Sequence, residues 1–320
     1  MHSTGKPIVF EFARLIRWKN LLISLFTLIC ISYFGIGEAY RDSGLIALTP
    51  PLQLVLLAVS VVFIMGAGYI INDLMDIETD TINCPNRMVI SKSISPKVAI
   101  WLYYVMTAIG VAFGAYLSFL LNQISLLFIF PGAALSLYLY SYNFKNSFLI
   151  GNVIIASLTA IILLLPWIIE VHQIDNYPLM PPSILKALID SGLISLFFAI
   201  FAFLTTIIRE WIKDIQDING DSITGASTMA ISRSLRFNLR VISVSSVLTI
   251  VLIFFFQAFL FSNNKLLSAI SLLAPQFFLT KVIITLIHPS ETINWSRLSK
   301  LLKIVMISGI VSLLFLGIKL

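Results

Sequence analysis

"YIINDLMDIETDTINCPNR", residues 69–87, ends an apolar run with four acidic side chains, Asp73, Asp76, Glu78 and Asp80. The run before it, roughly residues 51 to 71, matches the hydrocarbon thickness of a bilayer, which a helix crosses in about 20 apolar residues. An apolar run that turns acidic within a few positions reads as a helix leaving a membrane. The question it raises is why the carboxylates gather there.

The composition makes that gathering unusual, since 58% of the 320 residues are hydrophobic and 11% are charged. Soluble domains carry roughly 45 to 50% apolar and about 25% charged residues. The apolar segments are continuous, unlike the alternating segments of about ten residues in a membrane barrel, so the spans are helices. They are placed at roughly 20–37, 51–71, 98–118, 123–140, 147–169, 184–208, 241–262, 266–287 and 301–318. The expected fold is an all-α integral membrane protein of about nine transmembrane helices, forming one domain over 1–320. Residues 1–19 lack the order of a cleaved signal peptide. There Phe10, Phe12, Leu15 and Trp18 interleave with Arg14, Arg17 and Lys19, as in an interfacial helix. Cys30 and Cys84 fit neither a disulfide framework nor a metal motif, and read as free thiols.

Charge sets the orientation. With a cytoplasmic N-terminus, 16 of the 21 basic residues fall on the cytoplasmic side, as the positive-inside rule requires. Arg41, Lys186, Lys265 and Lys319 fall outside, and Lys281 lies within the eighth span. The net charge of +6 therefore calls for no nucleic acid, only membrane lipids.

A second acidic stretch, "REWIKDIQDINGDSITGAS", residues 209–227, repeats the first. Asp73, Asp76 and Asp80 are separated by three and then four positions, and so are Asp214, Asp217 and Asp221. On a continuous helix these offsets stack three carboxylates on one face over two turns. With Glu78 and Glu210, eight of the 15 acidic residues lie in the two stretches. An even number of spans separates them, so both emerge on the cytoplasmic side. A solvated membrane exit is the simpler explanation of either alone. Like charges at three and four positions repel, however, and a divalent cation removes that penalty. Magnesium takes oxygen ligands and pairs carboxylates with substrate phosphates, so facing clusters point to metal ions clamping a diphosphate. Arg87, Lys145, Arg209 and Lys213 share that side, where they either contact the diphosphate or anchor the topology.

These residues resemble the UbiA-type membrane prenyltransferases. The family's NDxxDxxxD signature is matched by Asn72, Asp73, Asp76 and Asp80, with "INCPNR" continuing it, and its second cluster by Asp214, Asp217 and Asp221. The resemblance covers nearly the whole chain. It implies a UbiA-like bundle that transfers a prenyl group, with Mg2+, from an isoprenyl diphosphate donor to a lipophilic acceptor. By that resemblance the seven motif residues hold the metal and Asp76, Asp80, Asp217 and Asp221 are catalytic. The motifs look most like the branch that alkylates a glycerol phosphate ether lipid. The aromatic prenyltransferases of quinone biosynthesis are the alternative. The chain departs from the family's Tyr-x-x-x-Lys pattern, because Ser141 stands four residues before Lys145, with Tyr140 and Tyr142 beside it. Tyr142 is grouped with Arg17 and Asn20 as acceptor-binding. A divalent-cation channel would also use carboxylates, but it needs ionisable groups near the bilayer midplane, where Lys281 is the one candidate.

Overall fold

The computed structural model describes residues 7–176, 181–223, 225–287 and 293–318, without the side chains of Arg87, Asp175 and Asn176. Caps and prolines start several of its helices. Ser95 accepts the Val98 N–H at 3.4 Å with Pro96 following, Ser234 accepts that of Phe237 at 3.3 Å, and Asn294 that of Arg297 at 2.9 Å. In chain order the helices are α1 (Ile8–Leu15), α2 (Trp18–Cys30), α3 (Gly37–Asp42), α4 (Pro51–Met75), α5 (Ile77–Asn83), α6 (Pro96–Leu120) and α7 (Ile124–Tyr142). Then come α8 (Ile150–His172), α9 (Pro182–Gln216), α10 (Ile218–Ile223), α11 (Met229–Ser232), α12 (Leu235–Ser262), α13 (Leu266–Ser271), α14 (Leu273–Ile287) and α15 (Trp295–Ser312). A π-helical stretch, Ile31–Ile36, joins α2 to α3. Apart from one isolated bridge between Ile90 and Ile94, regular structure among the described residues is helical.

Nine helical segments among the described residues are long and apolar enough to cross a bilayer. The expected spans are all present, with shifted ends. The sixth runs for 35 residues, Pro182–Gln216, well past the expected 208. At 1.5 Å per residue it is about 52 Å long, more than a hydrocarbon layer of about 30 Å requires, so the surplus carries Asp214 on a helix. The seventh starts at Leu235, and Arg236 and Arg240 lie in its first turns.

Contacts group the chain into two compact units, each assembled from separate stretches. The first comprises residues 1–25, 51–147 and 219–226, and the second 26–50, 148–218 and 227–320. In the first unit α4, α6 and α7 pack on one another. Gly110 permits the approach of α6 to α4. Its carbonyl accepts from Ser60 Oγ at 2.7 Å, and a Cβ there would lie 2.7 Å from the Ile64 side chain. Leu15, Ala67, Ile70, Val89, Ile90, Ile94, Ala99 and Met106 form a buried cluster that ties the loop after the first acidic stretch to α4 and α6.

In the second unit α9 packs against α8, α12 and α15. Phe197 of α9 stacks on Phe256 of α12 with ring centroids 3.7 Å apart. Two buried charges fasten the loops of this unit. Lys265 reaches Asp42 at 2.6 Å and the Leu316 carbonyl at 3.0 Å. Glu170, 1% exposed, accepts from the backbone N–H groups of Leu48 and Thr49 and from the Thr49 hydroxyl. Removing a buried acceptor strands its donors. Glu170→Ala is expected to cost about 2 to 4 kcal/mol and Thr49→Val about 1 kcal/mol, measured as shifts in the unfolding midpoint in detergent micelles.

Candidate functional site

Each acidic stretch begins on a long helix and continues on a short one. Helix α4 carries Asn72 and Asp73 and ends at Met75, and α5 begins at Ile77, leaving Asp76 between them at φ −93°, ψ 6°. In the second stretch α9 carries Asp214 and ends at Gln216, and α10 begins at Ile218, leaving Asp217 at φ −97°, ψ 6°. The middle aspartate of both thus sits in the bridge region of backbone space, where many active-site residues are found. The unbroken two-turn face expected from the spacing is replaced by helix, aspartate, helix.

In the first unit the carboxylates have partners from distant helices. Asp76, 7% exposed, accepts from Lys145 Nζ, and from Asn72 Nδ2 at 2.8 Å. Asp73 accepts from Arg17 Nη2 at 2.6 Å. Arg17, between α1 and α2, has φ 51°, an uncommon left-handed conformation for a residue with a side chain. Its guanidinium also lies 4.8 Å from the centre of the Tyr69 ring, whose hydroxyl accepts from Asn20 at 3.3 Å. Burial raises the proton affinity of Asp80, and the charges of Asp76 and Asp73 add to it, against a 3.2 Å hydrogen bond from Cys84 and the charge of Lys145.

Beside Asp76 and Lys145 a cleft of about 250 Å³ opens, lined also by Met75, Glu78, Ser141 and Tyr142. Of the two tyrosines that the sequence left open, Tyr142 lines it, stacked on Tyr138 at 5.9 Å between ring centroids. Asp221 belongs to this unit as well, because Asn83 Oδ1 accepts the Gly220 N–H at 2.9 Å. A Cβ on Gly220 would lie 2.5 Å from the Asn83 side chain, so a larger residue there displaces Asn83.

Asp214 and Asp217 lie in the second unit. Asn152 of α8, 6% exposed, donates to Asp214 at 2.8 Å. Arg209 and Lys213 both pair with Glu210, at 2.8 and 2.7 Å. Sequence reasoning passed over Asn152, and it gave Asn83 a place in the motif continuation "INCPNR" but no contact. Each is an amide outside the acidic pattern, and the one local hint is that Asn83 sits inside the first stretch. The side chain of Arg87 lies outside the described residues.

The donors offered by the two stretches are carboxylate oxygens and the Asn72 amide, a set suited to a hard divalent cation. Among the described residues no three His, Cys, Asp or Glu side chains converge closely enough to hold an ion. Lys145 and Arg17 supply positive charge at Asp76 and Asp73.

Residues 39–305 match the UbiA prenyltransferase family. The chain is 30% identical over 261 residues to digeranylgeranylglyceryl phosphate synthase of Saccharolobus solfataricus, covering 82% of this chain and 83% of that protein. Its fold resembles a structure solved in work on digeranylgeranylglyceryl phosphate synthase in membranes, with a TM-score of 0.62 and 23% identity over 98% of this chain and 99% of that one. It also resembles a UbiA homologue from Archaeoglobus fulgidus bound to GPP and Mg2+, with a TM-score of 0.52 and 15% identity over 95% and 99% of the two chains.

The Asn83 contact with Gly220 generates a test that needs no assay of activity. Asn83→Ala removes one half-buried acceptor and is expected to speed amide exchange at Gly220 about fivefold, the equivalent of about 1 kcal/mol. Gly220→Ala is expected to speed exchange across residues 219–226, as followed by mass spectrometry.

Proposed function

We propose, for a chain that belongs to the UbiA prenyltransferase family, that it transfers a prenyl group from an isoprenyl diphosphate to the hydroxyl of a glycerol phosphate lipid. The observation that carries this reading is the repeated helix, aspartate, helix arrangement with basic residues at each copy. The named relative supports the glycerol phosphate acceptor. The Archaeoglobus homologue bound to GPP and Mg2+ is the source for the donor class and the metal. Orientation follows the charge distribution, with the N-terminus and both acidic stretches cytoplasmic.

Magnesium, when bound, supplies positive charge against the diphosphate as the leaving group departs. Asn72, Asp73, Asp76 and Asp80 would hold it at the first stretch, and Asp214, Asp217 and Asp221 at the second. Arg87, Lys145, Arg209 and Lys213 donate hydrogen bonds to diphosphate oxygens, and these strengthen as the allylic C–O bond breaks and its electron pair leaves with the diphosphate. The acceptor hydroxyl oxygen forms the new C–O bond and gives up its proton to a motif carboxylate. Asp76, Asp80, Asp217 and Asp221 are the candidates for this catalytic part. Arg17 and Asn20 lie near Tyr69 and would meet the acceptor's phosphate headgroup, with Tyr142 at the cleft. Apolar helices keep water from the allylic cation.

Purified protein is offered a labelled allylic diphosphate, magnesium, and a glycerol phosphate ether lipid in competition with an aromatic acid. Transfer to the glycerol lipid is expected. Transfer to the aromatic acid alone would move the chain to the quinone branch. Asp76→Ala and Asp217→Ala are each expected to lower turnover at least about tenfold, because each removes a ligand that counts most in the transition state. Retention of activity by both would defeat the two-cluster reading.

A further inference from the structure

One carboxylate precedes the second aspartate cluster and stands outside its spacing. Glu210 lies one turn before Asp214 on α9 and is 7% exposed. Its Oε1 accepts from Arg209 Nη1 at 2.8 Å, and both of its oxygens accept from Lys213 Nζ at 2.7 Å. Two cations are thus gathered on one anion, and the trio keeps a net positive charge.

Two features separate this trio from an ordinary surface ion pair. Exposed pairs are loosely held and contribute little, whereas a buried carboxylate must be compensated by fixed geometry. In addition, Arg209 Nε is buried and has no hydrogen-bond partner among the described residues. Native structures leave few buried donors unsatisfied, and an open guanidinium N–H at a site of this kind is a place for a ligand's acceptor.

We propose that Glu210 is a positioning residue, whose buried carboxylate holds Arg209 and Lys213 as one ordered array of N–H donors for a diphosphate. The proposal rests on the prenyl-transfer reading. Lys and Arg side chains lose much rotamer freedom when a ligand orders them, and a fixed anion beneath them meets that cost before the ligand arrives. Glu210 itself stays on the two cations and does not touch the diphosphate. Simple electrostatics points the other way, since a negative charge beside an anion site weakens it. The sign of the effect of removing the charge therefore separates the two accounts.

The test is calorimetric binding of inorganic diphosphate, with magnesium, to the full-length protein in lipid nanodiscs. Glu210→Gln is expected to weaken binding about tenfold, with Glu210→Asp recovering part of the loss. The KM for the prenyl donor should rise with it while that for the acceptor stays unchanged. In an Arg209→Gln/Lys213→Gln background, adding Glu210→Gln should change affinity less than about twofold, because the residue acts through those two cations. Binding by Glu210→Gln as tight as wild type, or tighter, overturns the positioning role and leaves the transfer reading intact. If Glu210→Gln does not fold, unchanged affinity in Glu210→Asp overturns the role in the same way. Absence of diphosphate binding by the wild type overturns the transfer reading and this proposal together.

Discussion

A carboxylate partly withdrawn from water at the end of a membrane span needs a compensating charge or donor, and here its own segment often cannot supply it. Asp73 is met by Arg17 from 56 positions away, Asp76 by Lys145 from 69, and Asp214 by Asn152 from 62. Each contact is also a constraint on a helix. Arg17 stands just before α2, Lys145 in the turn after α7, and Asn152 on the first turn of α8. The polar ends register the apolar spans, which could otherwise slide or rotate against one another at small cost, because lipid and helix side chains are alike in polarity.

The two middle aspartates extend the point from side chains to backbone. Asp76 and Asp217 share nearly the same φ and ψ, and each N–H still bonds four residues back, to Asn72 and Lys213. The long helix therefore closes its last turn normally before the break. One local backbone conformation is thus used twice, in segments 141 positions apart, the difference between residues 217 and 76.

The spans were legible because bilayer thickness imposes a length that any apolar run must meet, whatever its partners. The spacing of the aspartates was legible too, as was the pairing of acidic stretches with basic residues. The helix breaks at Asp76 and Asp217 were not, because an offset of three and four fits an unbroken helix equally well. The contacts of Asn83 and Asn152 were hidden for a different reason. Their partners, Gly220 and Asp214, are 137 and 62 positions away, and no local periodicity records a contact of that range. Tyr142, named from the sequence, does line the cleft, where it stacks on Tyr138 one turn earlier on α7. The overlong α9 was missed because the charged residues after 208 read as an exit from the bilayer, although a helix continues wherever its backbone remains hydrogen-bonded.

The contact between Asn83 and Gly220 has a consequence for biosynthesis. A chain is made from its N-terminus at about 5 to 20 residues per second, and segments pack as they become available. The first unit has most of its helices by residue 147, yet it also contains residues 219–226. The partner of Asn83 is still unmade while α8 and α9 are being synthesised. The acidic stretch that ends at Asn83 therefore waits at the membrane surface, without that contact, until residue 220 has left the ribosome, so that completion of the first unit is timed by translation of the second.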